Sequence, residues 1–312
     1  MQRILVTGGA GFIGSHLIDR LLADGHEVVC IDNLVLGRKE NIAHHLQDKR
    51  FTFLEQDLLD LDALHAAFKR HKFTTVFHLA ANSDIQASLK DTRRDLDLTF
   101  MTTFHVLEAM RVAGVQDIVF SSTSAIYGNA TPPISEDQGP LFPVSLYGAS
   151  KLASEGYIST YCDNFGMRAW IVRFPNVVGE RTTHGILHDF VKKLRADPRE
   201  LEVLGDGKQR KPYIYVKDLI ETIMFIWQGT HDKLNWYLIS PDDETTVARI
   251  AEMVIAEMGL HAKIKYTGGA KGWTGDVPFY SYDTGKLKAL GWTPQRSSDD
   301  AVRVSIRHIL GK

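Results

Sequence analysis

Residues 4–16 read ILVTGGAGFIGSH: an apolar β-forming run, a glycine-rich turn and the opening of a helix. Gly8, Gly11 and Gly14 stand three apart. In that order they suit a tight turn, a close approach of backbone to a pyrophosphate, and close helix–strand packing. The helix that follows offers free N–H groups and the positive end of its dipole to phosphate. A second apolar run, 28–31, ends in Asp32, 18 residues beyond Gly14. A carboxylate there can accept from both ribose hydroxyls of an adenosine and repels a 2′-phosphate, so the pattern predicts a dinucleotide and favours NAD over NADP. Arg38 and Lys39 nearby weaken the preference. The bland alternatives are a turn with no ligand and, for Asp32, an N-cap.

Working outward, short β-branched runs recur at 4–6, 28–31, 51–54, 76–79, 118–120 and 170–172, with helical patterns such as 15–24 between them. None of the runs alternates polar and apolar residues, which predicts strands buried on both faces of a parallel sheet. The fold class expected is α/β, a doubly wound parallel (Rossmann) sheet with a smaller C-terminal α/β lobe over the carboxyl ends of the main strands. Residues 1–174, with a return segment at about 212–239, are assigned to the dinucleotide domain, and 175–211 with 240–312 to the second lobe. Helices are expected at 186–196, 246–258 and 298–310, and a loop at 267–278.

Composition narrows the partners. With 36 basic and 38 acidic residues among 312, the chain has no basic excess for nucleic acid. No apolar run reaches the length of a membrane span, and Met1–Val6 enters the glycine turn without a signal-peptide pattern. A cytoplasmic location is expected. Cys30 and Cys162 read as core thiols. His184 and His188 have the i, i+4 spacing of a zinc pair but no third ligand, so no metal is expected.

Six further motifs act together: DNLVLGRKEN at 32–41, HLAA at 78–81, SSTSAIYG at 121–128, YGASK at 147–151, RFPNVVG at 173–179 and GDGKQRKPYIYVKD at 205–218. With the glycine turn and LGWTP at 290–294, the set resembles the extended short-chain dehydrogenase/reductase family, and within it the nucleotide-sugar epimerases and dehydratases. The resemblance spans nearly the whole chain. It implies NAD as cofactor, held by Gly8, Gly11, Phe12, Ile13, Gly14, Asp32, Asn33, Asp57, Leu58, Leu79, Ala80, Ala81, Tyr147 and Lys151. Two readings stay open for His78: a cofactor contact or a satisfied core histidine.

Tyr147 and Lys151 are i and i+4 and share one helix face. A tyrosine is a poor base at neutral pH, but a neighbouring ammonium and a cationic nicotinamide both favour its phenolate. It can then take a proton from a sugar hydroxyl. The resemblance places Lys151 on the nicotinamide ribose and Thr123 on the reacting hydroxyl, with Ser124 as competitor. Family dehydratases carry Thr-Asp-Glu at this point, uronate decarboxylases a glutamate where Ala125 stands, and the enzymes making GDP-fucose a cysteine there. Ser124 and Ala125 match none of them. What is left is C4 epimerisation of a nucleotide sugar, UDP-hexose or UDP-uronate. The alternatives are a 4-ketoreductase and a non-catalytic NAD sensor.

For the substrate the resemblance implies Ser83, Thr123, Ser124, Asn176 and, on the diphosphate, Arg210 or Lys211. Lys211 stands where the family has an arginine, and a lysine is a point charge rather than a fork. Trp273 and Thr274 replace another family arginine, for which Arg303 is the candidate substitute, and Thr99 replaces an asparagine. A homodimer through a four-helix bundle, made by helices near 92–113 and 148–165, is implied as well.

Overall fold

The computed structural model describes residues 1–85, 87–269, 277 and 279–312. The chain divides into two compact units. The first comprises 1–128, 141–173 and 223–237; the second comprises 129–140, 174–222 and 238–312. Two details differ from the boundaries read in the sequence. The return segment is shorter than 212–239, and residues 129–140 fall in the second unit.

The first unit is built on one sheet. Its strands are β1 (Arg3–Thr7), β2 (Glu27–Asp32), β3 (Phe51–Glu55), β4 (Thr75–His78), β5 (Asp117–Ser121) and β6 (Arg168–Arg173). They lie in the order 3-2-1-4-5-6, every pairing parallel. Strand Leu234–Leu238 continues the sheet beyond β6. All six runs read as strands in the sequence are therefore strands. Ile4, Leu5 and Val6 are fully buried, as a run covered on both faces must be. One face packs Leu5, Ile31, Phe120 and Ile171 against helix residues Phe68, Leu107, Met110 and Ile158.

Helix α1 (Phe12–Ala23) follows β1, and α2 (Leu61–His71) follows β3. Asp60 starts α2 by accepting from the Ala63 N–H at 3.0 Å. The region expected to be helical at 92–113 is wound in three ways: α-helical at Arg93–Asp95, a π-helix at Leu96–Met101, then α-helical at Thr102–Ala113. The widened turn places Thr99 inside the protein, where its hydroxyl accepts from the Asn82 N–H at 3.1 Å. The helix Leu146–Phe165 opens on Ser145, whose hydroxyl accepts from the Gly148 N–H at 3.1 Å. Cys30 and Cys162 are free and buried.

The second unit has short pairings instead of a second large sheet. Asn176–Val178 pairs in parallel with Tyr213–Tyr215, Glu200–Val203 in parallel with Lys263–Tyr266, and Arg210–Lys211 antiparallel with Thr245–Thr246. Helices Ile186–Ala196, Val247–Glu257 and Ser298–Leu310 stand where the sequence predicts them. Among the described residues no helix is long and apolar enough to cross a membrane.

Candidate active site

β1 and β4 are neighbours in space although β2 and β3 intervene in sequence. This reversal of strand order is where a doubly wound sheet binds ligands, beyond the carboxyl ends of its strands. The glycine turn sits there. A Cβ on Gly14 would lie 2.3 Å from the Gly8 carbonyl oxygen, and one on Gly8, whose φ is +70°, 2.7 Å from the Ala80 nitrogen. Neither position admits a side chain. Gly11 has extended backbone and caps α1 with no side-chain bond, so the first N–H groups of α1 are not covered by a capping side chain. Asp32, at the end of β2, reaches across the turn: its carboxylate accepts from Ala10 N–H at 3.0 Å and Leu34 N–H at 2.8 Å. Burial raises its carboxyl pKa while those two bonds pull it back. Asn33 donates to Asp57 at 3.0 Å, linking the ends of β2 and β3. Leu58 is buried in the core face, and Leu79 and Ala80 donate to Thr7 from the end of β4. A bare helix terminus behind a turn without side chains fits a pyrophosphate, and a carboxylate at the tip of β2 fits a ribose.

His78 is a fully satisfied core histidine. Its two ring nitrogens lie 2.7 Å from the Thr7 hydroxyl and 3.0 Å from the Thr103 hydroxyl. Burial, with Lys151 adding repulsion, pushes its pKa down to about 3. It is neutral at ordinary pH.

The catalytic candidates converge beyond β5. Thr123 caps the short turn Ser124–Tyr127, its hydroxyl accepting from the Ala125 N–H at 3.1 Å. A Cβ on Gly148 would meet the Ala125 carbonyl oxygen at 2.6 Å. That close seat sets the first turn of helix Leu146–Phe165 against the 124–127 turn. Tyr147 is thereby brought into hydrogen-bond contact with Thr123. Burial pushes the Tyr147 phenol up to about 12; the Thr123 bond opposes the rise and Asp95 adds to it. One turn on, Lys151 is 1% exposed. Its ammonium donates to the Ser121 carbonyl oxygen at 2.6 Å and lies 4.6 Å from the centre of the Phe120 ring. Burial drives its pKa down to about 7, against the upward pull of Glu155 and Asp95. Ser83 is exposed and Ala81 half-buried.

Two groups here were not legible in the sequence. Glu155, one turn beyond Lys151, takes two bonds from the Arg173 guanidinium, at 3.0 and 2.7 Å, and one from the Ser122 hydroxyl. Arg173 also donates to the Tyr127 hydroxyl at 2.9 Å. The i+4 spacing from Lys151 was the available signal. Asp95 is fully buried; one of its oxygens accepts from Asn82 Nδ2 at 2.9 Å and the other has no hydrogen-bond partner. Its charge acts on both Tyr147 and Lys151. No spacing marks it, because it comes from a different helix.

The second unit holds the other candidates. Asn176 is exposed at the start of its strand. Arg210 and Lys211 are neighbours on a strand and so face opposite ways. The Arg210 guanidinium lies 4.1 Å from the centre of the Phe279 ring. Arg303 approaches Asp300 at 3.6 Å. His188 bonds to the Thr182 hydroxyl and His184 to that of Thr183. Trp273 and Thr274 lie outside the described residues.

The model of the NAD dependent epimerase/dehydratase family matches residues 4–236. The UDP-glucose 4-epimerase of Mycolicibacterium smegmatis is 37% identical, over 100% of this chain and 99% of that protein. A UDP-N-acetyl-alpha-D-glucosaminuronate decarboxylase of Bacillus cytotoxicus is 30% identical, over 93% and 91%. The solved structure of the Thermus thermophilus UDP-glucose 4-epimerase in complex with NAD superposes with a TM-score of 0.87 at 31% identity, covering 99% of both chains.

Proposed function

The chain belongs to the NAD dependent epimerase/dehydratase family, with NAD as cofactor, and from that membership we propose that it is a nucleotide-sugar 4-epimerase acting in the cytoplasm on a UDP-hexose or UDP-uronate. The observation that carries the reading is the turn after β5. Thr123 and Tyr147 meet there, and the next two residues are Ser124 and Ala125. Neither is the acid or base that elimination of water needs, and Ala125 stands where the family resemblance puts the glutamate of the uronate decarboxylases.

The residues divide the work. The proposed cofactor cradle is Gly8, Gly11, Phe12, Ile13 and Gly14 for the pyrophosphate, Asp32 and Asn33 for the adenosine ribose, Asp57 and Leu58 for the adenine, and Leu79, Ala80 and Ala81 towards the nicotinamide half. Bound NAD supplies reversible hydride acceptance at C4. Tyr147 takes the proton of the C4 hydroxyl and gives it back to the opposite alkoxide; Thr123 orients that oxygen, with Ser124 beside it. Lys151 and the bound nicotinamide are proposed to favour the Tyr147 phenolate, against the burial that pushes the phenol up to about 12. With its pKa driven down to about 7, Lys151 titrates close to neutral pH. Any anion that raises Lys151 therefore helps hold its charge. Asn176 and one of Arg210 and Lys211 are proposed for the diphosphate, and Ser83 for the sugar.

A proton NMR time course with NAD and UDP-glucose, UDP-N-acetylglucosamine, UDP-glucuronate and their dTDP, GDP and CDP counterparts tests the assignment. A new anomeric signal growing to equilibrium with no net NADH is expected. Loss of a carboxylate or of water from any substrate overturns it, and so does net reduction of a keto sugar at the expense of NADH.

Asp95 gives a signed pH prediction. Its charge raises both Tyr147 and Lys151. Glu155 and His78 also face Lys151 and are untouched by the change. In Asp95→Asn both pKa values fall, so the rising and falling limbs of the rate profile both move to lower pH. A purely structural defect lowers the maximum without moving the limbs.

The proposed homodimer uses the helices Thr102–Ala113 and Leu146–Phe165. Val112, Tyr157 and Phe165 expose apolar surface on them, 61%, 44% and 48%. Sedimentation at twice the chain mass is expected, and a monomer alone at micromolar concentration contradicts it.

A further inference from the structure

We propose that Asp19, His44 and His45 form a binding site for a divalent transition-metal ion of the zinc or nickel kind, apart from the redox residues. Asp19 lies on α1, and the two histidines end the short turn Ala43–His45. Both Nε2 atoms converge on the same carboxylate oxygen, Asp19 Oδ1, at 2.9 Å from His44 and 2.6 Å from His45. All three ligand atoms lie within 4.8 Å of one another. Two ligands that each stand about 2 Å from one ion are roughly 3 Å apart. The two histidine–Asp19 separations already stand near that spacing.

The ligands are held before it arrives. Asn41, just ahead of the histidines, donates to the Ala10 carbonyl oxygen at 2.9 Å, and Ile42 is fully buried. The two imidazoles lie centroid to centroid at 4.0 Å, and His45 rests on Phe51 at 5.8 Å. The site is open to solvent on the His44 side, whose side chain is 47% exposed against 17% for His45. An ion can enter there and complete its shell with water. Two imidazole nitrogens and one carboxylate oxygen favour zinc, nickel or copper over magnesium and calcium, which prefer all-oxygen sets. The ion would tie the segment after β2 to α1.

The test is calorimetric titration of the untagged, chelator-treated full chain with zinc chloride, then with nickel and magnesium chlorides. One saturable equivalent of zinc is expected, with none of magnesium. His44→Ala and His45→Ala are each expected to weaken it by about tenfold or more. His184→Ala is the control and leaves it unchanged. Zinc should also raise the unfolding temperature of the wild type and not that of Asp19→Ala. Absence of saturable zinc binding overturns the proposal. So does zinc binding that persists unweakened in both histidine variants while circular dichroism shows them folded, which leaves the three residues as hydrogen-bonded ion pairs only.

Discussion

Tyr147→Phe is expected to lower turnover of the nucleotide sugar by about 10²–10⁴-fold, the usual worth of a positioned proton-transfer group. The change removes one oxygen and keeps the ring, so the seat of Gly148 against Ala125 and the cap on Ser145 stay as they are. What is lost is the group that meets Thr123. Initial rates on the substrate found by NMR measure the effect, and equilibrium NAD binding is expected to be unchanged. Near-normal turnover would remove Tyr147 from the mechanism. A parallel loss of NAD binding would instead point to a damaged site. The raised pKa makes the expectation sharper: at about 12 the phenol is a weak acid and a poor source of phenolate by itself. Its proposed use as a base therefore needs positive charge from Lys151 and the nicotinamide to offset burial, and losing the oxygen leaves no group at that position to carry the proton.

The second large effect is on stability. Glu155→Ala is expected to destabilise the protein by about 3–5 kcal/mol, because it leaves the Arg173 guanidinium buried without its carboxylate. Arg173 is 7% exposed and Glu155 6%. The two share a pair of hydrogen bonds, and Glu155 holds the Arg173 pKa above its ordinary value although burial works against it. The surface pair Arg93–Asp97, by contrast, is solvent-screened and contributes little. Denaturant unfolding of the single variants separates the two cases. Replacing both partners, Glu155→Leu with Arg173→Met, is expected to recover much of the loss, since the cost comes from an unmatched buried charge and not from the absence of the pair. A Glu155→Ala protein as stable as the wild type would show that water or rearrangement satisfies Arg173 without the carboxylate.

The parts of the site written locally were readable. Each of strands β1–β6 is built on a short, mainly apolar run, which is the mark of a strand covered on both faces; the seventh strand, Leu234–Leu238, was not read from the sequence. Tyr147 and Lys151 share a face because they are one helical turn apart. The small pairings of the second unit had no such mark. Arg210–Lys211 becomes a strand only because Thr245–Thr246 lies beside it, and two residues carry no periodicity. The π-helical turn at Leu96–Met101 interrupts a segment that reads as one continuous helix.

The sequence by itself therefore determined the parallel sheet, the side-chain-free turn that suits a pyrophosphate, the carboxylate at the tip of β2 and the Thr123, Tyr147 and Lys151 set. Apart from Thr123, which the family resemblance supplied, these depend on residue type and on spacing within one strand or one helix. Only the tertiary structure decided the charge environment of that set. Asp95 arrives from another helix, Arg173 from β6, and His78 proves to be a neutral core residue held by Thr7 and Thr103. Burial and Coulomb interaction depend on distance through space, and residues far apart in the chain acquire that distance only when the strands are ordered and the helices packed.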